Sequence, residues 1–138
     1  MVEIENLSLS YEASKIILKG LSFVVNKGEC ILFTGRSGSG KSSIINSING
    51  LAARYDGAAI DGDIKLADKD IKNFELYEIS MLVSSVFQNP KTHFFNVNTT
   101  IELLSFLENI GLKREEMDKR LSDMLNVFPI EHLLNRDI

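Results

Sequence analysis

The stretch that most constrains this chain is the run Gly35-Arg36-Ser37-Gly38-Ser39-Gly40-Lys41-Ser42. It matches the phosphate-binding loop pattern G-x-x-x-x-G-K-[ST] at every fixed position. Glycines reach backbone angles that are closed to residues with a Cβ, so successive N–H groups can turn inward toward anionic oxygens. Lys41 is then expected to place a positive charge beside the outer phosphates, and the Ser42 hydroxyl to ligate Mg²⁺.

The residues on either side of the loop predict the context that the motif requires. The run Glu29-Cys30-Ile31-Leu32-Phe33-Thr34 predicts a buried strand, and the apolar residues after the loop recur at helical spacing (Ile44, Ile45, Ile48, Leu51 and Ala52). Phosphates bound between a strand and a helix lie at the helix N-terminus. The alternative is that the pattern matches by chance in a turn rich in Gly and Ser. A chance match would not explain why a strand pattern precedes the loop and a helix pattern follows it.

Composition narrows the class of protein further. The 138 residues suffice for one ordinary domain, and the net charge of −4 gives no support to a nucleic-acid partner, which would favour a basic patch. The single cysteine, Cys30, excludes an internal disulfide and is predicted to be a small buried hydrophobe in its apolar strand. No apolar run approaches the ~20 residues of a membrane span, and no signal-peptide pattern follows Met1. We therefore expect a cytoplasmic chain whose membrane association comes only through a partner.

The first part of the chain predicts an antiparallel layer. Apolar and polar residues alternate over residues 2–10, which predicts a strand, and the alternation shifts by one position around Asn6. A second strand candidate runs from Ile16 to Asn26. A turn at Asn26-Lys27-Gly28-Glu29 leads into the strand before the loop. Residues 58–66 predict a further strand around a turn at Asp61-Gly62, in which the two neighbouring aspartates are turn residues rather than metal ligands.

Beyond residue 73 the pattern becomes mostly helical. A short helix is predicted over residues 74–80, and Met81 to Phe87 predicts a buried strand that ends before Pro90. Residues 88–97 are expected to form a mobile surface loop. Three helical segments follow, at 101–110 after a capping box at Thr99-Thr100-Ile101-Glu102, at 117–128, and at 130–134.

Taken together, these patterns make the chain resemble a known family over essentially its whole length. The family is the nucleotide-binding domain of ATP-binding cassette (ABC) transporters. Tyr11 lies where the family has its adenine-stacking aromatic residue, and GRSGSGKS is a typical form of its Walker A loop. Val86-Phe87-Gln88-Asn89-Pro90 resembles the Q-loop, and the following Phe94-Phe95-Asn96 is similar to the branch found in energy-coupling factor (ECF) importers of vitamins and metal ions. Asp61-Gly62 resembles the turn before the central segment.

The resemblance implies an α/β fold, with a P-loop NTPase core, an N-terminal antiparallel β layer and a C-terminal helical segment. Residues 1–97 are expected to form the nucleotide-binding core and β subdomain, and residues 98–138 the start of the helical subdomain. The implied ligands are ATP and Mg²⁺. The implied partners are transmembrane transporter subunits and a second ATPase subunit, which would hold the protein at the inner face of the cell membrane.

The resemblance also assigns site residues by position. Ser42 and Gln88 are expected to hold Mg²⁺, and Gln88 also to orient water. The full set expected at the nucleotide is Tyr11, Gly35, Arg36, Ser37, Gly38, Ser39, Gly40, Lys41, Ser42, Ser43 and Gln88.

Two features depart from the family pattern. Lys91-Thr92-His93 stands where the ECF-like branch usually has acidic residues and a Gln. The sequence also holds no LSGGQ-like signature, and the Walker B carboxylates and switch histidine that would follow it are missing. The chain thus resembles the N-terminal half of an ABC ATPase, and we expect it to bind nucleotide without hydrolysing it.

Two other functions stay open at this stage. A non-transport ABC protein, such as a translation or repair factor, usually carries long insertions or paired cassettes. A small-molecule kinase with a P-loop would need its own acceptor site and an Arg-rich lid, and the last 40 or so residues contain no lid-like pattern. His93 and His132 are predicted to be surface residues, whereas Phe94 and Phe95 could belong either to the core or to a contact with the membrane partner.

Overall fold

The computed structural model of the protein describes residues 1–12, 15–89 and 93–138. The chain forms two compact units, Met1–Ser85 and Val86–Ile138, which are described separately below. The predictions made for Pro90, Lys91 and Thr92 lie outside the described residues. Within the described ranges, none of the helices has both the length and the hydrophobicity needed to cross a bilayer.

The first unit is built on a four-stranded antiparallel sheet. Its strands are β1 (Val2–Glu12), β2 (Lys15–Val25), β3 (Ala59–Leu66) and β4 (Lys69–Asp70), arranged in the order β2-β1-β3-β4. The alternation of apolar and polar residues gives β1 one buried face, and its pairing on both sides makes it the central strand. The predicted antiparallel layer is therefore confirmed.

Strand β1 contains a bulge at Asn6, where the phase slip was predicted. The strand has one extra residue between Glu5 and Ser8 relative to β3 and between Ile4 and Leu7 relative to β2, and Asn6 has a left-handed φ of 51°. The predicted turn at Asp61-Gly62 is wrong, because both residues lie inside β3. Gly62 is needed there for a close approach: its φ is +96°, and a Cβ would lie 2.6 Å from the Asn6 carbonyl oxygen.

Three helices and a 3₁₀ turn complete the first unit. Helix α1 spans Lys41–Ile48, α2 spans Leu51–Arg54 and α3 spans Leu76–Leu82, with the 3₁₀ turn at Ile71–Asn73. The helices α1 and α2 pack on the sheet and share one apolar core with it, formed by Ile4, Leu7, Leu9, Leu18, Ile44, Ala52, Ala58 and Ile64. The helical spacing seen after the phosphate loop thus places Ile44 and Ala52 against the sheet.

Two predicted buried strands do not form. Cys30–Thr34 has no ladder partner, the Cys30 side chain is exposed, and Leu32 is 83% exposed. Met81 and Leu82 finish helix α3 instead of starting a strand. Residues 83–87 are irregular, and Val86 is 95% exposed. An apolar run becomes a central strand only when strands lie on both sides of it, and no strand of the described residues pairs with either segment.

The second unit is helical. Helix α4 spans Thr99–Asn109, α5 spans Arg114–Val127, and a 3₁₀ turn spans Glu131–Leu133. A short bridge between Asn98 and Asp137 brings the end of the chain back to the start of α4. The described residues of the predicted loop over 88–97 contain neither helix nor strand, and Phe94 and Phe95 are exposed rather than part of a core.

The start of α4 differs from the predicted capping box. The N-cap is Asn98, one residue earlier, whose side-chain oxygen accepts hydrogen bonds from the N–H groups of Thr100 and Ile101. Glu102 instead reaches back to accept hydrogen bonds from the side chain and N–H of Asn96 and from the N–H of Phe95. These bonds to Asn96 and Phe95 lower the pKa of Glu102 below its usual value, because they favour the charged carboxylate.

We expect Gly62→Ala to destabilise the first unit more than Gly20→Ala does. Both glycines have a left-handed φ, but a Cβ at Gly20 meets nothing within 4 Å, whereas one at Gly62 would collide with backbone atoms. The extra loss in unfolding free energy should be about 1–3 kcal/mol, as for other substitutions that force a strained backbone to shift. Urea unfolding followed by circular dichroism measures it. Equal losses for the two variants would contradict the close approach at Asn6.

We also expect the chain to self-associate at low micromolar concentration, because the apolar side chains of Leu32 and Val86 are exposed in segments that pair with no strand of the described residues. Leu32→Glu should shift the population toward the monomer, since a charge at this position opposes edge pairing. Val127→Glu, at a residue that is 69% exposed on α5, is the matched control and should not. Size-exclusion chromatography with light scattering tests this. A sharp monomer peak for the wild type would rule the expectation out.

Candidate functional site

The phosphate-loop sequence forms a tight turn that leads directly into helix α1. Within it the Ser39 N–H donates to the Arg36 carbonyl at 3.2 Å, and the first helical hydrogen bond joins the Ile44 N–H to the Gly40 carbonyl at 3.0 Å. Gly35, Gly38 and Gly40 have φ values of +151°, +78° and +91°, which residues with side chains rarely adopt. Glycine is therefore required by the shape of the loop at the two fixed glycine positions of the motif, Gly35 and Gly40, and also at Gly38 between them.

The Lys41 side chain folds back across the loop. Its Nζ donates to the carbonyl oxygens of Gly35 at 2.9 Å and Arg36 at 2.8 Å, and to the Ser39 hydroxyl at 3.4 Å. All three acceptors are uncharged, and in the described part of the chain no carboxylate forms a salt bridge with Lys41 or Arg36. The loop thus holds the ammonium group in place while leaving its charge uncompensated.

The start of helix α1 adds a second source of positive potential. Its N-cap is Gly40, which offers no side-chain oxygen, and the first turn contains no acidic residue. The first N–H groups of a helix have no partner within it and carry the positive end of the helix dipole. Together with Lys41, these groups form a donor set suited to an anion such as a phosphate.

A cleft of about 330 Å³ lies beside this donor set. It is lined by Lys41, Ser42 and three apolar residues, Ile31, Phe33 and Ile45. The volume is at the lower end of the range for small-molecule sites. The Ser42 side chain is exposed, so its hydroxyl is accessible to a metal ion or a ligand.

Strands β1 and β2 contact the loop and helix from the sheet side. The Tyr11 hydroxyl, at the end of β1, donates to the Ser43 hydroxyl at 3.3 Å. At Gly40 a Cβ would lie 2.8 Å from Leu18 Cδ2 and 3.0 Å from Ile17 Cγ2, so β2 lies directly against the loop backbone. The sequence pattern signalled neither Ile17 nor Leu18 as part of the site, because contacts between distant segments leave no local signature.

The first unit therefore brings together Tyr11 and residues 35–43 of the predicted site. Gln88 belongs to the second unit, where its side chain is exposed, and its contribution to the same site stays a prediction. His93, predicted to be a surface residue, is half-buried, and its Nε2 accepts a hydrogen bond from the Phe87 N–H at 2.5 Å. Its ring also lies against the Phe87 ring, with the centroids 4.9 Å apart.

Proteins with similar sequences include putative ABC transporter ATP-binding proteins. A putative ABC transporter ATP-binding protein from Treponema denticola is 32% identical over all of this chain, which covers 28% of that relative. A second, SSO2030 from Saccharolobus solfataricus, is 34% identical over 99% of the chain, which covers 26% of it. The chain thus spans little more than a quarter of the length of these relatives.

Among solved structures, cbiO1 from Clostridium perfringens, part of the ABC transporter complex cbiONQ, has the same fold. It superposes with a TM-score of 0.82 at 25% identity over 99% of this chain, which covers 53% of the cbiO1 chain. The family model for ABC transporters matches residues 18–138, which include the phosphate loop. With that match over most of its length, the chain belongs to the ABC transporter family.

Proposed function

We propose that this chain is the ATP-binding part of an ATPase that couples ATP hydrolysis to import of a small solute through membrane partners. The observation that carries the proposal is the uncompensated Lys41 ammonium, held by its own loop beside the uncapped N-terminus of α1. Such a donor set binds the outer phosphates of a nucleotide.

The donor set also fits the proposed ligand Mg-ATP residue by residue. Lys41 and the loop N–H groups would neutralise the phosphates, and the exposed Ser42 hydroxyl is an oxygen ligand of the kind that Mg²⁺ takes together with phosphate oxygens. We assign Gln88 as a second Mg²⁺ ligand and Tyr11 as the residue that stacks on adenine. Magnesium would supply charge neutralisation at the phosphates.

We infer the import function and the membrane partners from the similarity of this chain to cbiO1. Because cbiO1 is part of an ABC transporter complex, we infer that this chain likewise acts with transmembrane subunits and a second ATPase subunit, at the cytoplasmic face of the membrane. The exposed Phe94 and Phe95 are then candidates for the contact with a membrane subunit rather than for a core.

Mg-ATP should raise the melting temperature of the chain by several degrees. Ligand at 100 times its dissociation constant adds about 2.7 kcal/mol to the stability of the folded state. Lys41→Ala should abolish most of this shift, because it removes the charge beside the phosphates. Lys19→Ala, which removes an exposed lysine on β2, is the matched control and should keep the shift. If saturating Mg-ATP leaves the wild type unmoved in differential scanning fluorimetry, nucleotide binding by this loop is wrong.

We expect no ATP hydrolysis by this chain on its own. Phosphoryl transfer to water needs a group that polarises the water, and among the described residues no carboxylate forms a salt bridge with Lys41. Phosphate release should therefore equal that of Lys41→Ala. Turnover that survives purification and disappears in Lys41→Ala would contradict this expectation and favour a kinase-like enzyme instead.

A further inference from the structure

Asn49 is a buried polar residue at the end of helix α1, and both ends of its side-chain amide form hydrogen bonds. It is 7% exposed and is the C-cap of the helix. Its Oδ1 accepts a hydrogen bond from the Leu51 N–H at 3.1 Å, at the start of α2. Its Nδ2 donates to the Ser85 hydroxyl at 3.1 Å, across 36 positions of the sequence. The amide therefore joins the corner between α1 and α2 to the segment that follows α3.

A second contact holds α3 at the same corner. Gly50 has a φ of +80°, and a Cβ there would lie 2.8 Å from Ile79 Cδ1 and 3.4 Å from Leu76 Cδ1, so α3 lies directly against the backbone between α1 and α2. Ile79 is 1% exposed, and its carbonyl accepts the N–H of Val83, where the helix ends. Helix α3 and the residues after it are thus attached to the end of α1 by close packing at Gly50 and by a hydrogen bond at Asn49.

This corner and the phosphate-binding groups lie at opposite ends of one short helix. Lys41 and Ser42 are in the first turn of α1, and Asn49 follows its last residue. Ser42 and Asn49 are seven positions apart in the sequence, which corresponds to about 10 Å along a helix axis. Gln88 is three positions after Ser85, and three extended residues also span about 10 Å. A segment that starts at the anchored Ser85 therefore has the length needed to bring Gln88 level with Ser42.

We propose that Asn49 is a positioning residue, which through Ser85 sets the point from which Gln88 reaches the Mg²⁺ of bound Mg-ATP. The inference rests on the proposed function, in which Gln88 is a metal ligand, and deepens it. Residues 83–87 pair with no strand of the described part of the chain, and Val86 is 95% exposed, so the side-chain anchor takes the place of strand pairing here. A segment that is held before the ligand arrives needs less ordering on binding, which improves affinity.

Isothermal titration of the whole chain with ATP, once with Mg²⁺ and once with EDTA, tests the proposal. The affinity in Mg²⁺ divided by the affinity in EDTA measures the contribution of the metal. Ser85→Ala removes the acceptor of the Asn49 amide and should lower this ratio by about two- to tenfold, the range expected when one side chain must be ordered on binding. The affinity in EDTA should stay within about twofold of the wild-type value, since the phosphate contacts do not involve the anchor. Ser84→Ala, at the exposed neighbouring serine, is the matched control and should leave both affinities unchanged.

A conservative variant and a double-mutant cycle separate a positioning role from a structural one. Ser85→Thr keeps a hydroxyl acceptor for the Asn49 amide and should keep the wild-type ratio of affinities. If Ser85 acts through Gln88, adding Ser85→Ala to Gln88→Ala should cause no further loss of the metal contribution. A further loss in the double variant would overturn the proposal. Equal losses of affinity in Mg²⁺ and in EDTA for Ser85→Ala would also overturn it, because the anchor would then support the phosphate loop as a whole.

The outcomes also separate this inference from the proposed function. If the wild type does not bind ATP under either condition, both fail together. If the wild type binds ATP and Lys41→Ala does not, the proposed nucleotide binding stands. In that case an unchanged ratio of affinities in Ser85→Ala, or a wild-type affinity that does not depend on Mg²⁺, sinks the positioning role alone.

Discussion

The packing of helix α1 against the central strand β1 is the interaction on which the rest of the site depends. Ile44 of α1 contributes to one core with Ile4, Leu7 and Leu9 of β1, and burying each of these large aliphatic side chains stabilises the fold by roughly 1.5–3 kcal/mol. A helix as short as α1 would not be stable in water by itself. The phosphate loop is joined directly to this helix, so the loop keeps its shape only while the helix stays on the sheet.

The parts of the fold that could be predicted from the sequence are those encoded by local chemistry. Alternation along β1 showed which face is buried, and the disturbed alternation at Asn6 marked the bulge. Gly62 was assigned to a turn because glycine serves equally for turns and for close backbone approaches, and only the position of Asn6 across the sheet distinguishes them. The apolar runs at 29–34 and 81–87 predicted burial, but whether such a run becomes a strand is decided by its neighbours, which the local pattern does not contain.

In the candidate site, too, some features could be predicted from the local sequence and others could not. The shape of the loop follows from the spacing of its glycines, since each fixed glycine has a φ that other residues rarely adopt. The orientation of Lys41 toward carbonyl oxygens of its own loop also follows from short sequence separations. By contrast, the contact between Tyr11 and Ser43 joins residues 32 positions apart, and the packing of Leu18 on Gly40 depends on how the hairpin lies against the loop. No periodicity or spacing rule encodes such contacts.

The bulge at Asn6 has a consequence for how this chain tolerates insertions and deletions. Ile4 is buried at an even position of β1, whereas Leu7 and Leu9 are buried at odd positions, and only the extra residue lets both halves of the strand bury the same face. Deleting one residue there would leave the first half in place and reverse the second half. Tyr11 would then point away from α1 although nothing near it had changed, so its orientation depends on the length of a strand segment several residues away.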